Sequence, residues 1–140
     1  YPLRAAFAQS SSSPYTLRAM SAKFSTHILD RALAQQRQRR EHQRRALLDA
    51  AFAALGELSQ QIAFEEAYLF GSITQPGRFS ESSDIDIAFV GLRDEDFFRA
   101  LAFLSRRLAS DVDIVQIEKH PRREQILQGG IRWTKPAGPS

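Results

Sequence analysis

Residues 68–90 read YLFGSITQPGRFSESSDIDIAFV: an apolar run, a Gly-Ser turn, a polar loop and a second apolar run with two aspartates at its start. In a β-strand, residues two apart share a face, so Asp84 and Asp86 point one way while Ile85, Ile87 and Phe89 point the other. Two carboxylates about 7 Å apart along a strand suit a hard cation. Mg²⁺ takes one or two such groups and completes its shell with water and phosphate oxygens. Gly71 lets the backbone turn sharply and come close to a ligand, and exposed N–H groups with the Ser72 hydroxyl can donate to phosphate. The stretch predicts a site for a triphosphate and a divalent metal.

Each half of the pattern has a plain structural reading. Asp-x-Asp alone is most simply an acidic strand edge, and a Gly-Ser dipeptide alone is a turn. Their combination gains weight from a third acidic position, Asp113 in DVDIVQI (111–117), another alternating run rich in β-branched residues. Three carboxylates on neighbouring strands suit two metal ions. Asp111 lies two residues earlier on the same strand face and competes with Asp113 for the third place.

Taken together these residues resemble the minimal nucleotidyltransferases of the DNA polymerase β superfamily, over about residues 46–133. The matching features are Gly71-Ser72, a spacer of eleven residues (73–83), Asp84-x-Asp86, then IAFVGL, a helix with a Phe pair, DVDIV and ILQGG. The spacer is one residue longer than the common form, with a PGRF segment (76–79) familiar from the group. The resemblance implies an α/β fold of polymerase β type, a small mixed sheet covered on one face by helices. It also implies Asp84 and Asp86 as metal ligands, and Asp113 as the third carboxylate that completes the metal site and helps to activate an acceptor hydroxyl. The Gly71 backbone and Ser72 become triphosphate contacts, and Arg78 either a further phosphate contact or a solvated loop arginine.

The activity implied is Mg²⁺-dependent transfer of a nucleoside monophosphate to a hydroxyl, with AMP from ATP as the expected case and other nucleoside triphosphates open. Proteins of this kind commonly act as antitoxins of HEPN-domain ribonuclease toxins, some by adenylylating a tyrosine of the toxin. Two other readings stand beside it. The chain could neutralise a partner by docking alone, or bind nucleic acid through a basic helix.

Composition bounds these readings. The 140 residues, 43% of them hydrophobic, suffice for one core and are too few for two ordinary domains. The chain has no cysteine, hence no disulfide, thiol nucleophile or sulfur-based zinc site, and His27, His42 and His120 are too scattered to form a ligand cluster. These histidines read as surface residues. No apolar run reaches the roughly 18 to 20 residues that span a bilayer, so the expected location is the cytoplasm, with no membrane partner.

Residues 1–19, with a serine run, two prolines and no acidic residue ahead of Met20, read as a disordered or extraneous extension. The nucleotidyltransferase domain is expected over 20–134, and KPAGPS (135–140) as a loose tail. A helix is expected over about 26–61. Its first half carries six arginines against one glutamate between Arg31 and Arg45, either a solvated face or a salt-sensitive surface for nucleic acid or an acidic partner. Its second half presents Leu48, Ala51, Phe52, Leu55, Leu58 and Ile62 as an apolar stripe.

A second helix follows Asp94, its expected N-cap, with Glu95 and Asp96 in the first turn, Arg106 and Arg107 in the last, and Phe97 and Phe98 as core anchors. A short basic helix is expected over 121–128, stopped by Gly129 and Gly130, and an edge strand over 131–134. Trp133 reads as a core cover or as a platform for a base. The loop 73–83 is expected to move and close over a bound triphosphate.

Overall fold

The computed structural model describes the backbone of residues 2–80 and 82–136 and the side chains of 26–80 and 82–136. Seven principal elements follow one another: α1 (Pro2–Leu58), β1 (Glu66–Phe70), β2 (Ile85–Val90), α2 (Phe97–Leu108), β3 (Val112–Gln116), α3 (Arg123–Gly129) and β4 (Ile131–Thr134). The chain divides into two units, 1–38 and 39–140. The first is helical throughout its described backbone. The extension expected over 1–19 falls where side chains lie outside the described residues, and so does the end of the tail, 137–140.

In the second unit the strands form one mixed sheet in the order β3-β2-β1-β4. Strands β1 and β2 pair antiparallel across the Gly-Ser loop, β4 joins the outer side of β1 antiparallel, and β2 and β3 run parallel. A parallel pair needs a crossover, which α2 supplies. β4 spans Ile131–Thr134 at the sheet edge, where the sequence pattern puts it.

The main core lies on the face covered by α1 and α2. Ala51, Ala54, Leu55 and Leu58 recur at helical spacing and meet Leu69, Ile85, Ile87, Phe89 and Leu104, all fully buried. Complete burial of a large apolar side chain contributes about 1.5–3 kcal/mol, so this face supplies most of the stability. Phe64 bridges Phe89 and Trp133 with ring centroids 4.9 and 5.3 Å apart. Trp133 is thus a core residue and not a base platform. A smaller cluster of Tyr68, Ala88, Ile117 and Ile126 occupies part of the opposite face under α3.

Three local expectations change. α1 ends at Leu58, so Ile62 joins the core from the turn beyond it. Asp94 does not cap α2: residues Asp94–Asp96 form a 3₁₀ turn, and the Asp94 carboxylate instead accepts from Gln116 and Lys119, each at 2.7 Å. These neighbours hold its pKa below the ordinary carboxylate range, Lys119 most strongly. Phe98 is 76% exposed and anchors nothing in the core, because only the Phe97 side of the helix faces inward. Among the described residues no helix is long and apolar enough to cross a membrane.

Candidate active site

Alternation along β2 separates the two faces. Ile85, Ile87 and Phe89 go to the core, while Asp84 and Asp86 stay on the opposite side, exposed and half-buried respectively. Asp86 lies opposite Phe70 on β1 and directly beside Asp113 on β3. Neighbouring strands are about 4.8 Å apart, so the register brings carboxylates of two strands together. Their fields meet at Asp86: burial, then the charges of Asp113 and Asp84, raise its pKa above the ordinary value. Asp111 is exposed and precedes β3, its backbone carbonyl accepting the Ile85 N–H at 2.9 Å. The register thus sets Asp113, and not Asp111, beside Asp86.

Gly71 begins a 3₁₀ turn, Gly71–Thr74, that leaves the end of β1. Its φ of +80° is left-handed, and a methyl group at this position would overlap the Asp86 carboxylate. Glycine is required twice over, for the backbone angle and for the close approach. Within such a turn the N–H groups of Gly71 and Ser72 find no i→i+3 partner, which leaves them suited to anionic ligands. The carbonyls, in contrast, are engaged. Thr74 Oγ1 donates to Gly71 O at 2.7 Å, Gln75 N to Ser72 O at 3.0 Å and Arg44 Nη1 to Ile73 O at 2.9 Å.

The loop beyond is anchored at both ends. Ile73 is fully buried and Phe79 is 5% exposed, both within the main core, so part of the segment expected to move is held by packing. Arg78 between them is exposed, its Nη1 3.4 Å from Gln75 Oε1. Ser80 and Ser83 close the loop with N–H bonds to the Ser83 hydroxyl and the Ser80 carbonyl, at 3.1 and 3.0 Å.

Beside Gly71 opens a cavity of about 580 Å³. Phe70 and His120 form one wall, their rings edge to face with centroids 6.3 Å apart. Gln75, Arg122 and Gln125 add polar groups, and the Arg122 N–H donates to His120 Nδ1 at 3.0 Å, fixing the ring. The size falls within the roughly 300–1,000 Å³ typical of small-molecule sites. Sequence reasoning missed these residues. His120 and Gln125 belong to segments without a motif, and only the fold of α3 back over β1 brings them to the Gly-Ser turn.

The residues fit a metal in one specific way. Among the described residues no group of three or more histidines or carboxylates stands at ligand spacing. A divalent ion here would be held by two carboxylates together with phosphate oxygens, the usual manner of Mg²⁺. Burial first, and then the charges of Asp113 and Asp84, raise the Asp86 pKa, a cost that a bound cation would relieve.

The family profile described as "Polymerase beta, Nucleotidyltransferase" matches residues 56–132, from the end of α1 to β4. The chain belongs to this family. The span includes β2 with the Asp pair, β3 with Asp113, the Gly-Ser turn and the cavity, so the family resemblance read from the motif and the mixed α/β sheet describe the same domain. A solved structure, "Crystal structure of the toxin-antitoxin with AMP-PNP", shares 27% identity over 61% of this chain and 74% of that one, with a TM-score of 0.51. A second, of a protein provisionally described as a minimal nucleotidyltransferase, shares 27% identity over 68% of this chain and 93% of its own, with a TM-score of 0.43. No curated protein matches the chain.

Proposed function

We propose that this nucleotidyltransferase binds Mg²⁺ with ATP or another nucleoside triphosphate and transfers the nucleoside monophosphate to a hydroxyl, as the antitoxin of a toxin–antitoxin pair. The observation that supports it best is the register that sets Asp113 beside Asp86, next to a Gly-Ser turn whose glycine lies against the Asp86 carboxylate. In this reading Asp84 and Asp86 hold the metal with the triphosphate oxygens, Asp113 adds a third carboxylate beside Asp86, and the Gly71 and Ser72 N–H groups with the Ser72 hydroxyl take the phosphates. Arg78, exposed on the adjoining loop, reaches phosphate oxygens when they are present. The cavity lined by Phe70, His120 and Gln125 seats the nucleoside.

The metal, when bound, neutralises phosphate charge and lowers the cost of ionising the acceptor. The acceptor oxygen bonds to the α-phosphorus as the bond to the β-phosphate oxygen breaks and pyrophosphate leaves. In this reading Asp113 takes the hydroxyl proton. The acceptor we favour is a tyrosine of a HEPN-domain toxin. The family resemblance supports that partner, and the similar structure described as a toxin-antitoxin with AMP-PNP supports both the context and an adenine nucleotide.

The test is incubation with α-labelled ATP and Mg²⁺, alone and with the protein encoded beside it. Label is expected on the neighbour and lost on the order of 10³-fold in Asp84→Asn/Asp86→Asn. A stable complex that takes no label from any of the four nucleotides would instead establish neutralisation by docking.

A further inference from the structure

Arg44 is the arginine of the basic run that does not face water. Arg31, Arg37, Arg39 and Arg40 are exposed, whereas Arg44 is 8% exposed and each of its three guanidinium nitrogens donates a hydrogen bond. Nε and Nη2 donate to the two oxygens of Glu41 at 2.9 and 2.8 Å, and Nη1 reaches 29 residues along the chain to the Ile73 carbonyl at 2.9 Å. A buried guanidinium persists only when its charge is balanced and its donors are used, and the planar fork against one carboxylate does both. Arg45 donates to the same carboxylate at 2.9 Å, and the two arginines, Arg44 first, lower the Glu41 pKa to about 2, which keeps the anion present.

The target of the third nitrogen, Nη1, is specific. Ile73 O belongs to the last residues of the 3₁₀ turn, whose final carbonyls have no partner inside so short a helix. The same turn starts at Gly71 against Asp86, so a donor at one end determines where the N–H groups at the other end stand. We infer that Arg44 is a positioning residue of the nucleotide site: its bond to Ile73 O sets the Gly-Ser turn over Asp86, so that affinity for the triphosphate depends on a side chain of α1 outside the motif. Lysine cannot replace it, because one ammonium does not span a bidentate carboxylate and a separate carbonyl. The inference rests on the nucleotidyltransferase reading above.

Its test is the affinity of the full chain for Mg²⁺–ATP and for Mg²⁺–tripolyphosphate, wild type against Arg44→Met and Arg44→Lys, with circular dichroism melts on each. The expected result is a rise in Kd of about 10-fold or more for both ligands in Arg44→Met. Arg44→Lys should be close behind, and millimolar guanidinium should restore part of the loss in Arg44→Met. Under turnover the increase should appear in KM more than in kcat; loss of folded protein alone would lower the apparent kcat and leave KM unchanged. Folded Arg44→Met with wild-type Kd values overturns the inference and leaves the transferase reading intact. If Arg44→Met does not fold, Arg44→Lys decides by the same comparison. A folded wild type that binds neither ligand fails the underlying reading and the inference together.

Discussion

The two faces of β2 are built from the same six residues and do opposite work. On one, Ile85, Ile87 and Phe89 are fully buried among apolar neighbours. On the other, Asp86 has its pKa raised by partial burial and then by two like charges. The first face gains stability from exclusion of water, and the second holds charge that the fold alone would be better without. Such uncompensated charge is expected where a protein waits for a cation, and the strand alternation lets both faces exist within one element.

The comparison breaks most readily on the buried side. Phe89→Ala should cost about 3–5 kcal/mol, read as a fall in the urea midpoint, because it empties the centre of the core where Phe64 packs at 4.9 Å. Residual folded protein should still bind Mg²⁺–ATP. A small loss of stability would show that the core is not where this face puts it.

The charged side predicts the reverse sign. The Asp86 pKa is raised in the fold, so relative to the unfolded chain stability falls as pH rises through that value, and at neutral pH the ionised group is a standing cost. Asp86→Asn should therefore raise Tm by a few degrees at about pH 7 while abolishing transfer, and the gain should fade at about pH 3, where both side chains are neutral. A lower Tm at neutral pH would mean that Asp86 is held by contacts that outweigh the repulsion.

The smallest effect separates a compensated charge from these uncompensated ones. Glu41 has its pKa lowered from 4.5 to about 2, so the stability it contributes is complete above 4.5 and lost as pH falls toward 2. Between about pH 5 and about pH 3 the wild type should lose more stability in urea melts than Glu41→Gln does. Equal slopes would show that the contact with Arg44 and Arg45 is not maintained in solution.

Local pattern made much of this legible. Period-two alternation located β2 and β3 and put Asp84 and Asp86 on one side, with Asp113 on another strand, and helical spacing found the stripe of α1 and the body of α2. Where the pattern misled, a longer-range partner had intervened. Asp94 looked like a cap because of its place before an apolar run, yet Lys119 and Gln116, more than twenty residues on, claim its carboxylate. Phe98 looked like a core residue by type, but it lies on the outer side of its helix. The arginine run read as uniform, although one of its members is buried.

What the sequence determined by itself is the set of properties that repeat along the chain within a few residues: strand or helix, which face, and a motif dense enough to name a family. The tertiary structure alone set Asp113, and not Asp111, beside Asp86, because strand register is set by pairing across the sheet. It alone brought His120 and Gln125 beside Gly71, and Arg44 onto the Ile73 carbonyl, since those contacts join segments 29 or more residues apart and depend on how helices pack over the sheet. Periodicity carries no information about such meetings, as it describes only which way a side chain points and not what it will find there.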